Sequence, residues 1–266
     1  MSVTPLRSWI RKLRDKFAPN RPDLDQWAEK HRFVVDETLE QVLKWIPSEG
    51  LILDVGANVG LFTEQLRKQR PDCQFLLFEP VKRYFSICQK RFEAVEGVEV
   101  LNLALSSKNE QRSIFKAAHN PGGNSVLTEI MFDRRENSEV NERTIVEEES
   151  IECRRFDDLA KERGIDKVAF IKIDTEGFDF AVLQGLFGFL ESTGQRPVIL
   201  TELMSEDYHP LWREQREIVE RYGSLGYGSV DFDRLPKIGD VLLLPNSQGP
   251  SVILDAEGKG SSKDGA

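Results

Sequence analysis

One short segment limits the fold more than any other. The buried-strand run Leu51-Ile52-Leu53-Asp54-Val55 ends in the turn Gly56-Ala57-Asn58-Val59-Gly60 and feeds directly into a helical pattern at 61–69. A strand that leaves its sheet through a helix must return parallel to itself, with helices covering the sheet. The unit recurs. An apolar run at 74–78 precedes a helical pattern at 84–92, and a third strand is expected at 98–103. Further runs at 168–173 and 198–202 are each followed by helical pattern, and another lies at 241–244. Strands alternating with helices predict an α/β fold, a mostly parallel sheet with helices on both faces.

Two stretches depart from that rhythm. Residues 107–150 are polar and irregular, and read either as a pair of extra strands or as a substrate-side insertion. Near the end, 212–222 reads as a helix, and 228–232 and 240–244 read as strands. Only residues 233–239 separate these two, too few for a crossover helix, so an antiparallel terminal hairpin is expected. That ending separates the methyltransferase version of this architecture from a dinucleotide dehydrogenase.

Charge narrows the partners. The chain carries 36 Lys and Arg against 45 Asp and Glu, a formal −9 over 266 residues. Phosphate neutralisation needs a basic surplus, so a nucleic-acid substrate is not expected. The charge is uneven: residues 1–21 hold six basic residues and one acid, a local +5 that leaves −14 for the remainder. In this segment Leu6, Trp9, Ile10, Leu13 and Phe17 form one helical stripe, suited either to packing on the domain or to peripheral contact with a membrane surface. No run reaches the roughly 18–20 apolar residues of a membrane span, and the N-terminus lacks the apolar core of a secretory signal. The three separated cysteines (Cys73, Cys88, Cys153) read as reduced thiols of a cytoplasmic protein.

The glycine turn is the first candidate site. Gly56 permits a tight turn and close backbone approach to a ligand, and Gly60 lets the helix pack closely. Asn58 stands in place of the second glycine of the dinucleotide fingerprint, so the turn suits a ligand without a pyrophosphate, such as S-adenosylmethionine. Asp54, buried at the strand end, could hold loop amides or, through water, an ammonium group. Glu79 closes the second strand, 25 residues after Asp54, where a carboxylate can accept both hydroxyls of a ribose; a plain solvated Glu is the alternative. Asn102 could meet an adenine edge beside Ala104, or bond its own backbone as a turn residue.

With these residues in view, the chain resembles the FkbM family of S-adenosylmethionine-dependent methyltransferases over about 50–245. The resemblance rests on the 54–60 turn, Phe78-Glu79-Pro80, Asn102-Leu-Ala-Leu-Ser106 and Phe156-Asp157-Asp158-Leu159. It rests above all on Phe170-Ile-Lys172-Ile-Asp174-Thr-Glu176-Gly-Phe-Asp179, then Val182-Leu-Gln-Gly185 and Thr201-Glu202. It implies a seven-stranded, Rossmann-like class I methyltransferase fold and, most often, O-methylation of sugars or natural products. The chain then divides into an N-terminal helical segment (1–46), a methyltransferase domain (47–245) and a flexible tail (246–266). The expected cofactor set is Asp54, Gly56, Ala57, Asn58, Gly60, Glu79, Asn102, Ala104 and Asp174.

Methyl transfer from a sulfonium is an in-line displacement, so the protein aligns the partners and, for a hydroxyl, removes a proton. Candidate groups project at the strand ends. Lys172, Asp174 and Glu176 belong to one of these, Glu202 to its neighbour. Asp174 could lie beside the methionine part or the acceptor, with Glu176 or His209 taking the proton. Alternatively, Asp174 and Glu202 hold a divalent metal, a less favoured arrangement, or Lys172 neutralises Asp174 or Glu202 in a structural ion pair. Asn124 and Ser125, in the turn-rich loop after His119, are candidate contacts to a small-molecule or glycan acceptor. His31 reads as a surface residue of an early helix, and Trp212 as core, while Tyr208 could face a sugar. An NAD-type oxidoreductase and a catalytically silent scaffold of the same fold are the competing functions.

Overall fold

The computed structural model describes residues 23–117, 122–128 and 145–254. The amphipathic stripe at 6–17, His119 and the last twelve residues lie outside them. Seven strands form the main sheet: β1 Glu49–Val55, β2 Asp72–Phe78, β3 Val98–Leu101, β7 Phe170–Ile173, β8 Val198–Met204, β9 Ile238–Leu243 and β10 Val252–Ile253. Their order is β3-β2-β1-β7-β8-β9-β10. From β3 to β8 all neighbours are parallel, and β9 runs antiparallel to both β8 and β10. This is the mostly parallel seven-stranded sheet with an antiparallel end that the sequence implied.

Both faces are buried. Helices α4 Phe156–Arg163, α5 Asp179–Thr193 and α6 Trp212–Arg221 cover one, enclosing Leu53, Val55, Ile171, Ile173 and Ile199. Helices α1 Leu24–Val42, α2 Leu61–Gln69 and α3 Lys82–Phe92 cover the other, over Ile52, Phe75, Leu77, Phe170 and Leu200. Successive strand residues point to opposite faces, so continuous apolar runs are what a sheet covered twice requires. Strand order reverses between β1 and β7, which opens a crevice at their C-terminal ends.

The stretch 107–150 contains extra strands. β4 Ala104–Leu105, β5 Glu110–Ala117 and β6 Ile145–Arg154 make a second sheet in the order β4-β6-β5, with β5 and β6 antiparallel.

Three expectations need correction. Residues 228–232 are not a strand, and the terminal hairpin is β9 with β10. A Cβ at Gly228 would lie 2.6 Å from the Gly249 carbonyl oxygen, so the segment passes against the returning chain instead of pairing along β9. Phe232 starts a single 3-10 turn and packs edge-on against Trp212. The segment after 245 is not free tail up to residue 254: β10 pairs with β9, and the Leu254 amide donates to the Asp240 carbonyl. Likewise, no structural break falls at 46/47, because Leu39, Val42 and Ile46 belong to the same core cluster as Ile52 and Phe75. All three cysteines are buried and free. Among the described residues no helix is long and apolar enough to cross a membrane.

A chain ending at residue 245 should unfold several degrees below one ending at residue 254. Losing an edge strand worth roughly 2 kcal/mol corresponds to about 4–8 °C in a chain of this size. Differential scanning calorimetry on the two chains checks this, and equal midpoints would mean β10 is only resting on the sheet.

Candidate active site

The crevice between β1 and β7 holds a cavity of about 480 Å³, within the roughly 300–1,000 Å³ of ordinary small-molecule sites. Its floor is built by backbone that few residues can adopt. Gly56 has φ +78°, and a Cβ on it would lie 2.0 Å from the Asp174 carbonyl oxygen. The glycine is needed because two loops cross there. Asn58 is itself left-handed, at φ +51°. A Cβ on Gly60 would meet the Phe92 ring at 2.5 Å, so this glycine admits α3 against the turn.

Asp54 does not hold loop amides. Its Oδ2 accepts from the Thr63 hydroxyl of α2 at 2.7 Å, and its Oδ1 lies 3.3 Å from the Lys172 ammonium. The loop amides go to Glu79, whose Oε2 accepts from the Asn58 N–H and Oε1 from the Val81 N–H, both at 2.8 Å. Glu79 is thus buried and lines the cavity, the opposite of a solvated Glu. Burial pushes its carboxyl up to about 7, against the downward pull of those two amides and of Lys172.

Lys172 binds three groups at once. Besides Asp54, it donates to the Gly56 carbonyl at 3.0 Å and pairs with Asp174 at 3.4 Å. Burial pulls its pKa down, but the Asp174 and Asp54 carboxylates more than offset this and hold the ammonium above its ordinary range. The ion pair considered from sequence therefore exists, with Asp174 and Asp54 as partners. Asp174 remains half-exposed and lines the cavity with Glu176 and Glu202.

The loop carrying Asp174 and Glu176 is clamped from below by Asp179, a residue the sequence reading quoted without a role. Its Oδ2 accepts from the Thr175 N–H (3.1 Å) and hydroxyl (2.7 Å). Its Oδ1 accepts from the Thr201 hydroxyl (3.2 Å) and the Glu202 N–H (3.1 Å). Burial raises this carboxyl to about 6. An acid five positions after Asp174, at the start of a helix, was the available signal. The clamp lets Glu176 sit at φ +53° ahead of Gly177 at +87°.

Several expected contacts are used structurally. His209 is buried, and both its ring nitrogens are taken: Nδ1 accepts from the Leu211 N–H at 3.0 Å, so Nε2 carries the proton and donates to the Gly177 carbonyl at 2.8 Å. Burial also lowers its pKa. It does not line the cavity, which removes it from the candidate proton acceptors. The Ser125 hydroxyl donates to the Glu176 carbonyl and accepts from the Leu127 N–H, pinning two loops together instead of facing an acceptor. The Asn102 amide donates to the Glu79 and Pro80 carbonyls, both at 3.0 Å, holding the turn after β2. Ala57 and Ala104 do line the cavity, as does Asn124, whose Oδ1 accepts from the Ala117 N–H. Trp212 packs on Phe232, and the Lys237 ammonium lies 4.3 Å from the Tyr208 ring; neither aromatic lines the cavity.

Two contributors were not foreseen. Asp240 of β9 is paired in register with Glu202 of β8, and both line the cavity. Sequence pattern carries no signal for this, because it does not set the register between β8 and β9. One face of α1 closes the cavity through Trp27, His31, Val34 and Thr38, so His31 is no surface residue. No cluster of three or more His, Cys, Asp or Glu side chains suited to a metal ion occurs among the described residues.

The donor set fits an adenosyl ligand with a cationic end. A buried carboxylate at the end of β2 faces the cavity for a ribose diol, and carboxylates at the ends of β7 and β8 suit an ammonium or sulfonium. The family model of the methyltransferase FkbM domain matches residues 54–227. Methyltransferase sdnD of Sordaria araneosa is 26% identical over 160 residues, covering 53% of this chain and 62% of the relative. Methyltransferase 1 of Beauveria bassiana is 26% identical over 148 residues, covering 53% and 59%. The chain thus spans about six-tenths of these two relatives. The 2-O-methyltransferase NoeI of Sinorhizobium fredii is 26% identical over 207 residues, covering 77% and 78%.

Lys172→Met should destabilise the fold by roughly 3–5 kcal/mol, since it strands the fully buried Asp54 charge. Urea denaturation measures this. The double variant Lys172→Met with Asp54→Asn should recover part of the loss, and a single variant as stable as wild type would deny the ion pair its structural role.

Proposed function

The chain belongs to the FkbM family of methyltransferases, and on that premise we propose that it transfers the methyl group of S-adenosylmethionine to a hydroxyl of a sugar, glycan precursor or secondary metabolite. The observation that carries this reading is the distribution of charge around the cavity: Glu79 at the β2 end, and Asp174, Glu176, Glu202 and Asp240 across the ends of β7, β8 and β9. Carboxylates accept hydrogen bonds and donate none, so they match a neutral polyol rich in hydroxyl donors and repel an anionic acceptor.

In this reading S-adenosylmethionine supplies the electrophilic methyl group. Glu79 receives the ribose hydroxyls on the carboxylate lone pairs left by the Asn58 and Val81 amides. The Gly56-Ala57-Asn58 turn and Ala104, which line the cavity, would hold the rest of the cofactor. Asp174, half-exposed in the cavity, would receive the cationic methionine end. Lys172, its ammonium stabilised by two carboxylates, does not act as a base but fixes Asp174 and the Gly56 carbonyl in place. Glu176 and Glu202 orient the acceptor hydroxyl, with Asn124 at the cavity rim.

Glu79 makes cofactor binding pH-dependent. Its carboxyl, raised to about 7 in the unliganded fold, is protonated below that pH and can then accept fewer hydroxyl donors. Ribose hydroxyls favour the ionised form, so binding lowers the pKa and expels a proton. Affinity for S-adenosylhomocysteine should be full above about pH 7 and fall below it, by up to about tenfold per pH unit. At about pH 6.5 the calorimetric binding enthalpy should vary with the ionisation enthalpy of the buffer. Glu79→Gln should abolish that variation and weaken binding most above about pH 7, where wild-type Glu79 is ionised; a buffer-independent wild-type enthalpy would remove Glu79 from the ribose.

The reaction itself is tested by mass spectrometry. Enzyme and deuterated-methyl S-adenosylmethionine are incubated with a panel of neutral methyl glycosides, matched uronic acids and amino sugars, and with a metabolite extract. The expected result is one labelled methyl ether on a neutral polyol. Labelling confined to nitrogen or carboxylate acceptors would overturn the hydroxyl assignment. Thermal stabilisation by NAD but not by S-adenosylhomocysteine would overturn the whole reading.

A further inference from the structure

The acceptor proton needs a base, and histidine competes for that role with the cavity carboxylates Asp174, Glu176, Glu202 and Asp240. Lys172 is held as an ammonium, Glu79 is committed to backbone amides, and His209 has both nitrogens bonded. Two titratable groups reach the cavity from outside the span matched by the family model, Asp240 of β9 and His31 of α1, and His31 is the one that can offer an imidazole nitrogen.

The tautomer of its neutral ring follows from its contacts. The His31 Nδ1 lies 2.8 Å from the Trp27 carbonyl oxygen one turn earlier. A carbonyl only accepts, so Nδ1 carries the hydrogen, and in the neutral ring Nε2 presents a lone pair. Among the described residues nothing occupies Nε2. The ring stacks on the Trp27 indole, with centroids 4.1 Å apart and planes 25° from parallel, which fixes its orientation. The helix is equally fixed. Leu24 and Ala28 are buried against Val59 of the glycine turn and Tyr84 of α3. Arg32 ties α1 to Glu64 of α2 at 3.4 Å, and Arg91 of α3 shares that carboxylate at 2.6 Å. A histidine that lines the cavity with Nδ1 anchored on a carbonyl and Nε2 unbonded among the described residues can accept a proton there.

We infer that His31 is the general base of this enzyme and that the Trp27–His31 face of α1 forms the acceptor side of the cavity. This rests on the hydroxyl-methylation reading. Nε2 takes the acceptor's hydroxyl proton while the oxygen forms the new bond to the methyl carbon. The sulfur–methyl bond breaks with its electron pair moving to sulfur. The products are the methyl ether, neutral S-adenosylhomocysteine and a His31 imidazolium, which loses its proton to water after product release. The surrounding carboxylates tolerate that transient positive charge.

Two measurements test it. The chain has three histidines, so ¹⁵N-histidine spectra of the S-adenosylhomocysteine complex, assigned with His31→Gln and His209→Gln, resolve each ring. His31 should be the Nδ1–H tautomer and His209 the Nε2–H tautomer. A His31 ring protonated at Nε2 overturns the inference whatever the activity. Second, His31→Gln should lower the rate of methyl transfer to a neutral methyl glycoside by about 100-fold or more, with affinity for S-adenosylhomocysteine unchanged. Added imidazole should partly restore His31→Ala. A variant as fast as wild type overturns the base, as does one that loses S-adenosylhomocysteine binding, which would place His31 on the cofactor. Wild-type turnover of amines alone would overturn the hydroxyl reading, and the base with it. Glycoside turnover that survives His31→Gln would overturn the base only.

Discussion

The site depends on one buried ammonium. Lys172 leaves β7 at the point where strand order reverses and reaches the Asp54 carboxylate and the Gly56 carbonyl at the end of β1, and Asp174 at the end of its own strand. Parallel strands are joined by slanted backbone bonds along their length, but nothing in the ladder fixes how their departing loops sit. Here a single side chain does so. Removing a charge from water is costly, and the cost is met only because two carboxylates and a carbonyl surround it. The same pairing leaves Asp174 oriented with its outer half toward the cavity. Structural ion pair and functional carboxylate, set against each other when only the sequence is considered, are two faces of one arrangement.

The loop crossing explains why the surrounding residues are so restricted. Gly56 lies so close to the Asp174 carbonyl that no side chain fits. Asp179 takes four donors from Thr175, Thr201 and Glu202 and so ties the β7 loop to β8. His209 and Ser125 then hold the carbonyls of Gly177 and Glu176 from two further directions. Residues that look catalytic by type therefore serve to hold the backbone, and that backbone holds Glu176 in a left-handed conformation.

The sequence showed the parts of this that depend on local pattern. Apolar runs set the parallel strands, the glycine turn marked the crevice, and Phe78-Glu79-Pro80 placed a carboxylate at its rim. What stayed hidden depends on contacts distant in sequence. The edge position beside β9 belongs to Val252–Ile253 because Gly228 is pressed against the returning chain, a contact that strand propensity at 228–232 does not register. Asp240 could not be placed beside Glu202 without that register. Polar residues were harder than apolar ones, because His, Ser and Asn carry the same signal whether they bind a ligand or a neighbouring peptide group.

His31 shows the same ambiguity resolved the other way. By pattern it was one more polar residue on an amphipathic helix. Once α1 is packed, the Trp27 carbonyl consumes one of its nitrogens and leaves the other unbonded on a ring that lines the cavity, whereas at His209 two backbone partners consume both. The two rings thus carry opposite tautomers for the same physical reason, the donor or acceptor character of the peptide group that reaches Nδ1. That difference, set by backbone and not by residue type, separates a histidine able to accept a proton from one that only supports a loop. It also gives α1, which lies outside the family domain, a place in the site.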